Sequence, residues 1–218
     1  MAELLVIRHG QASFGAENYD RLSDLGHRQS RAAGEMLREI GWIPDRLITG
    51  TLTRHKETLA SMGFGASSGP EEHDGLNEYD FDDLFRARFG KAIPSEVKAD
   101  RKAHFRNLRE TVLAWQKDAF GGVRETWRDF ADRVEAARRF AISTEARRVL
   151  VVSSGGVIGR MTAAALAAPD EMMMTLNLQI RNSSMTRFIF SGEAFYLHEF
   201  NAVPHLASRE RLPMQTYS

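Results

Sequence analysis

The sequence predicts an α/β protein built on a mainly parallel sheet with helices on both faces. Two stretches carry this reading. LLVIRHGQAS, Leu4 to Ser13, is a short unbroken apolar run that ends in a polar triplet. That is the pattern of a strand buried on both faces whose carboxyl end opens into a ligand crevice. RRVLVVSSGGVIGRMTAAALAA repeats the logic as apolar run, small polar turn and helix. Between them strands alternate with helices, as a parallel sheet requires.

After the first strand and a loop, LSDLGHRQSRAAGEMLREIG predicts a helix with Ser23 as N-cap. Ala33, Met36, Leu37 and Ile40 share one face, and Gly41 falls just past the end. Pro44 introduces RLIT as a second short strand, and TLTRHKETLASMG forms a second helix ending near Gly63. The acidic EEHDGLNE reads as a strand edge leading into a loop. From Phe81 to Gly122 the pattern turns mostly helical, with Pro94 dividing a short helix from a longer one. Phe105, Leu108, Val112 and Trp115 in the longer one recur at helical spacing. Thr126 and Asp129 have capping-box spacing before a helix carrying Trp127, Phe130, Val134 and Phe140. Met172 to Met174 reads as a packing segment after a Pro-Asp boundary. MTRFIF and FYLHEF, separated by SGEA, predict a terminal hairpin that adds antiparallel edges. No repeat, linker or low-complexity tract divides the chain, so the expectation is a single domain over 1–218 with a helical cap or insert at about 81–122.

Composition narrows the function. Lys plus Arg and Asp plus Glu both total 29, so the formal net charge is zero and the electrostatic footprint of a nucleic-acid binder is missing. There is no cysteine, which excludes disulfides, thiolate metal sites and a cysteine nucleophile. The apolar start is interrupted at Arg8, too soon for a signal peptide, and the run around Ala163 to Ala168 is far shorter than a membrane span. The expectation is a cytoplasmic protein with neither nucleic acid nor membrane as partner.

Arg8, His9 and Gly10 supply the chemistry. An arginine fits phosphate with two parallel hydrogen bonds. A histidine beside it is a nucleophile for an anionic substrate when its ring is neutral, and nearby positive charge favours the neutral form. Gly10 lets the backbone turn close to a ligand. The triplet alone also fits a strand end that meets solvent, so the surrounding segments have to decide.

Those segments resemble the histidine phosphatase superfamily, also called phosphoglycerate mutase-like. LLVIRHGQAS is similar to its opening motif, LSDLGHRQS to its Leu-Ser/Thr-x-x-Gly-x-x-Gln motif, and TGTLTRHKET to the segment that delivers a second phosphate-binding arginine, here Arg54. LNE at Leu76 to Glu78 is similar to the segment carrying the family's acid, and FNAVPHL to its tail. The resemblance implies a three-layer α/β/α sandwich in which His9 accepts a phosphoryl group and Arg8 and Arg54 clamp its oxygens. Glu78 would protonate the leaving oxygen and then activate water, with Asp80 the second choice among the crowded acids Asp74, Asp80, Asp82 and Asp83. Arginines supply the positioning and charge stabilisation that phosphoryl transfer needs without a metal or other cofactor.

The resemblance breaks at one position. The family carries a second histidine in a Ser-His-Gly-Gly segment, where this chain reads VVSSGGVIG with Ser154. Ser154 offers a hydroxyl and Gly155 an amide at a helix start, which leaves phosphate binding open and puts the catalytic rate in question. Ser153 and Ser154 also read as caps of a helix beginning near Gly156. His55 follows Arg54 directly and is expected to face away from its target, since helix neighbours point about 100° apart. His27, His73, His104, His198 and His205 are expected at the surface or packing the tail, and no metal-ligand spacing joins them. The family's asparagine beyond the nucleophile falls on Gly15, with Asn18 nearby. Arg86, Arg88, Lys91, Arg101 and Lys102 form a solvated face or meet an anionic substrate.

The reading is therefore a metal-independent phosphomonoesterase acting through a phosphohistidine at His9 on a phosphorylated small molecule or protein. The alternative is a non-catalytic phospho-ligand or protein-binding module on the same fold, and a phosphoglycerate mutase stands behind both. The sequence leaves substrate and oligomeric state open.

Overall fold

A computed structural model describes residues 1–13, 20–65, 69–90, 101–192 and 194–217, without the side chains at 101, 102 and 104. Gly15, Asn18, Lys91 and Pro94 lie outside the described residues, as do the side chains of Arg101, Lys102 and His104.

Among the described residues six strands form one sheet. They are β1 (Ala2–Arg8), β2 (Arg46–Thr49), β3 (Glu71–Glu72), β4 (Arg148–Ser153), β5 (Met185–Ser191) and β6 (Ala194–Ala202), in the order β3-β2-β4-β1-β5-β6. The first four in that order run parallel, and the β5–β6 hairpin is antiparallel, joined through β5 to β1. Among the described residues the helices are α1 (Asp24–Glu39), α2 (Thr53–Met62), α3 (Phe81–Phe89), α4 (Arg101–Trp115), α5 (Trp127–Ile142), α6 (Gly155–Ala165) and α7 (Glu171–Asn177).

The unbroken apolar runs follow from two cores, one on each face. Successive side chains of a strand point to opposite sides. Leu4 and Val6 of β1 and Val149 and Val151 of β4 pack with Val112 and Trp115 of α4, Phe130 and Val134 of α5, and Ile158 of α6. Leu5, Ile7, Leu150 and Val152 pack the other way, against Ala33 and Leu37 of α1 and Leu59 and Met62 of α2. Every position of the strand centres therefore has to be apolar, and the result is a three-layer α/β/α sandwich.

Local signals place the helix ends. Ser23 accepts from the Gly26 N–H at 3.1 Å and starts α1. The capping box of Thr126 and Asp129 starts α5 with both reciprocal bonds made. Gly63 closes α2 in the left-handed region at φ 73°. A β-carbon on Gly34 would fall 1.9 Å from the Met62 carbonyl oxygen, so only glycine lets α1 and α2 pack this closely. In the methionine run, Met173 and Met174 are buried while Met172 is exposed.

Parallel pairing brings the carboxyl ends of β1, β4 and β2 side by side. Arg8 pairs with Ser153 and Thr49 with Val152, so the segments after all three strands emerge along one edge. Open parallel sheets bind ligands at such an edge.

Candidate active site

His9 follows β1 directly. Its backbone N–H donates to Ser153 O at 2.9 Å and its carbonyl accepts from the Ser183 N–H at 3.2 Å, which fixes the residue between β4 and the segment before β5. The ring is buried. Nδ1 lies 2.7 Å from Gly10 O and Nε2 lies 3.3 Å from Arg54 Nε. A carbonyl only accepts and a guanidinium only donates, so Nδ1 carries the proton and Nε2 presents a lone pair. Burial, then the Arg54 and Arg8 guanidinium groups and His55, hold the His9 pKa well below the ordinary histidine range. The ring is neutral at pH 7 and its basic nitrogen faces Arg54.

Gly10 is required by the close approach of α1. A β-carbon there would sit 2.5 Å from Gly26 O, and one on Gly26 would sit 2.2 Å from Gln11 O. The Gly10 N–H donates to Thr58 Oγ1 at 3.0 Å, tying the loop to α2. Gln29, the glutamine of LSDLGHRQS, accepts from the Gln11 N–H at 2.8 Å and donates to Met214 O and Thr216 Oγ1 at 2.6 and 2.9 Å. It clamps the loop after His9 to the carboxyl-terminal tail.

Arg8 and Arg54 come to His9 from two elements, and both guanidinium charges act on its ring. Arg8 Nη1 donates to Ile180 O, and its guanidinium carbon would lie 3.6 Å from a β-carbon on Gly155. Arg54 occupies the first turn of α2, where Asp20 holds it: Arg54 Nη1 donates to Asp20 Oδ1 at 2.8 Å, and the Thr53 N–H donates to Asp20 Oδ2 at 2.9 Å. Asp20 thus supplies the side-chain capping bond that Leu52, at the N-cap position, lacks. Nothing in the sequence pattern singled out Asp20.

Glu78 lies at the start of α6, accepting from the Gly156 N–H at 3.0 Å through Oε2. A β-carbon on Gly156 would fall 2.2 Å from Glu78 Oε1, so the second glycine of SSGG makes room for the carboxylate. Asp80 is elsewhere: it caps α3 by accepting from the Asp83 N–H at 2.9 Å and pairs with Arg124 at 3.7 Å. Beside Glu78, the buried Tyr79 hydroxyl accepts from Asn177 Nδ2 at 3.2 Å, and burial and the Glu78 charge raise its pKa well above the usual range. Gly155 admits Asn177, whose Oδ1 would stand 2.3 Å from a β-carbon there. Tyr79 and Asn177 were not read from the sequence.

Two expectations are corrected. Helix α6 begins at Gly155, with Ser154 in the N-cap position, yet neither serine caps it. Ser153 Oγ donates to Leu76 O at 2.7 Å, and Ser154 Oγ lies 2.7 Å from His55 Nε2. His55 does not face away. Its ring is fully buried, 5.6 Å from the His9 ring centre to centre. β4 lies between β1 and β2 in the sheet, and the His55 ring turns toward Ser154, the residue that follows β4. A signal was present: His55, Leu59 and Met62 lie at helical spacing, and all three are buried.

The other histidines fulfil the structural expectation where they are described. His27 meets Ser61 Oγ, His73 caps the turn at Asp74, His198 is exposed and His205 binds Ser183 Oγ in the tail. Arg88 donates to Thr111 Oγ1 at 2.8 Å and pairs with Glu110, and Arg86 pairs with Asp83, so both are engaged within and between α3 and α4. Among the described residues no group of three or more His, Asp or Glu side chains is placed to hold a metal ion. No helix among them is long and apolar enough to cross a membrane.

Fold and crevice together define an α/β sandwich with a neutral imidazole and two guanidinium groups at the carboxyl edge of its sheet. A profile of the histidine phosphatase superfamily (branch 1) matches residues 4–203, and the chain belongs to that superfamily. It is 39% identical over 64 residues to the 2,3-bisphosphoglycerate-dependent phosphoglycerate mutase of Tropheryma whipplei, a match that spans 27% of this chain and 29% of the mutase. It is 26% identical to the mitochondrial serine/threonine-protein phosphatase Pgam5 of Drosophila willistoni over 94% of this chain and 66% of that protein. Mycobacterial glucosyl-3-phosphoglycerate phosphatase, solved with inorganic phosphate, superposes with a TM-score of 0.66 at 24% identity, covering 95% of this chain and all, 100%, of that one. Phosphoserine phosphatase from Entamoeba histolytica, solved with phosphoserine, gives 0.66 at 18% identity over 94% and 100%. At these identities the two structures share the fold.

Proposed function

We propose that the chain is a phosphomonoester hydrolase working through a phosphohistidine at His9. The observation that carries this is the fixed tautomer of His9: Nδ1–H is committed to Gly10 O, and the Nε2 lone pair faces Arg54 at 3.3 Å. A neutral, oriented imidazole between cations is what attack on a phosphate dianion needs.

The Nε2 lone pair attacks phosphorus and the bond to the ester oxygen breaks. Glu78 gives that oxygen a proton, and the alcohol leaves. Water then attacks the phosphohistidine, Glu78 takes the water's proton, and phosphate departs with His9 regenerated. Arg8, Arg54, the Ser154 hydroxyl and the Gly155 amide carry the charge on the phosphoryl oxygens, with no role for a metal or cofactor. Glu78 suits its role because Gly156 anchors one carboxylate oxygen at the crevice, whereas Asp80 is committed to capping α3.

The substrate is a phosphorylated small molecule or protein side chain, the two classes named among the relatives. Residues 1–218 act as one domain in the cytoplasm, with the cap helices α3 and α4 shaping access. A phospho-ligand-binding module without turnover is the second reading, favoured by a serine at position 154. Hydrolysis of an aryl phosphate by the native chain, abolished in His9→Ala and resistant to EDTA, is expected for the hydrolase. Phosphate binding without turnover would favour the module, and phosphoglycerate isomerisation without hydrolysis would favour a mutase.

A further inference from the structure

We propose that His55 and Ser154 work as one donor pair on the phosphoryl group, with Ser154 touching its oxygen and His55 orienting and polarising the serine hydroxyl. This rests on the hydrolase reading above.

The serine is in the right place and its side chain is uncommitted to the helix it starts. Ser154 Oγ makes no capping bond and lies 2.7 Å from His55 Nε2. The two residues come from different elements, one opening α6 and the other in the first turn of α2. The end of β2 is shaped to admit the ring: a β-carbon on Gly50 would fall 2.2 Å from His55 Nδ1.

The direction of the hydrogen bond follows from what is left unpaired. His55 Nδ1 is buried and has no hydrogen-bond partner among the described residues. A neutral imidazole has one N–H. On Nδ1 that proton would be a buried orphan donor, whereas on Nε2 it is given to Ser154 Oγ and only a lone pair stays unmatched. With its oxygen accepting from His55, the serine hydroxyl directs its own proton elsewhere, and accepting one bond strengthens the one it donates. The partner is a phosphoryl oxygen on His9, whose ring centre is 5.6 Å from that of His55. No net proton transfer is needed.

The position is also costly for anything but function. A fully buried imidazole with one unmatched nitrogen is worse for stability than an apolar residue continuing the Leu59 and Met62 stripe. His55 is thus a positioning residue, and Ser154 the group that meets substrate.

The test measures aryl phosphate turnover and orthovanadate inhibition for the native chain, His9→Ala, His55→Leu, His55→Gln, Ser154→Ala, the double variant His55→Leu/Ser154→Ala, and the exchange His55→Ala/Ser154→His. Loss of one preorganised donor costs about a hundredfold or more in kcat, so His55→Leu and Ser154→Ala should each fall by about that much. The double variant should fall no further, because residues acting as a unit are not additive. His55→Gln returns an N–H near the lost one and should recover about tenfold over His55→Leu, whose apolar side chain continues the buried stripe of Leu59 and Met62. The exchange, which moves an imidazole to position 154, should recover activity as well. The proposal is overturned if His55→Gln is no better than His55→Leu, if the single losses multiply in the double variant, or if Ser154→Ala keeps native turnover. Native protein without His9-dependent turnover would sink the hydrolase reading instead. The pair is then judged on vanadate, where equal binding by native, His55→Gln and Ser154→Ala proteins overturns it and weakened binding by Ser154→Ala supports it.

Discussion

Glu78 Oε2 accepts from the backbone N–H of Gly156 at 3.0 Å, and the same carboxylate occupies the space a β-carbon at position 156 would need. The Glu78 carboxylate is therefore positioned by a residue with no side chain. Gly156→Ala should displace the carboxylate and the Tyr79 ring, whose Cε1 would stand 2.5 Å from the new β-carbon, while leaving His9 and both arginines in place. A shift of about 1 Å in a catalytic group costs about a hundredfold, so kcat should fall on that scale with vanadate inhibition little changed. Steady-state kinetics on an aryl phosphate check this.

Asp20 is the carboxylate behind Arg54, accepting from its guanidinium at 2.8 Å and from the Thr53 N–H at 2.9 Å. Asp20→Ala should loosen the arginine and the start of α2 together. Vanadate or phosphate inhibition should weaken by about tenfold, the equivalent of roughly 1.4 kcal/mol, with the phosphohistidine still forming. Inhibition constants for the native and variant proteins measure it.

Gln29 is fully buried and spends both ends of its amide holding the Gln11 loop to the tail at Met214 and Thr216. Gln29→Ala deprives the Gln11 N–H and the Met214 carbonyl of this partner, while Thr216 Oγ1 keeps its bond to Asn182 Oδ1, and each buried orphan costs about 1–3 kcal/mol. Urea unfolding should register a loss of about 3 kcal/mol and a larger effect on stability than on the vanadate affinity of the folded protein.

Three histidines buried among the described residues set the response to acid. Burial lowers His9, His55 and His205, the last to about 4. Below about pH 6.5 the unfolded chain protonates these rings while the folded chain resists, so acid favours unfolding. Stability should be level above about pH 7.5 and fall as pH drops through 6 toward 4, with a slope approaching roughly 1.4 kcal/mol per pH unit for each histidine involved. Thermal melts across that range test it, and His205→Asn should flatten part of the slope. Because His9 stays neutral, the acid limb of kcat/KM should lie below the ordinary histidine range.

The fold was legible where one local cause decides one local structure. The runs LLVI and VLVV are apolar throughout because alternate side chains enter two cores, and the capping box at Thr126 starts its helix without tertiary help. Arg8 and His9 were legible as a polar pair at the end of an apolar strand, and Arg54 only through the resemblance of TGTLTRHKET to a family segment. The contacts that refine the site were not. Asp20, Tyr79 and Asn177 reach the crevice from segments whose approach depends on the finished sandwich. His55 was misread because its neighbour Arg54 took the functional role, although the buried stripe it shares with Leu59 and Met62 was visible in the spacing. Ser154 was read through its own helix, whereas its side chain answers to α2 across the sheet edge.

Rapid acid-free quenching of the native chain during turnover, followed by peptide mapping under alkaline conditions, addresses the central claim most directly. One acid-labile phosphoryl group should be found on the peptide carrying His9 and be lost in His9→Ala. Sustained hydrolysis with no phosphorylated His9 at any time, or hydrolysis that survives His9→Ala, would contradict the account.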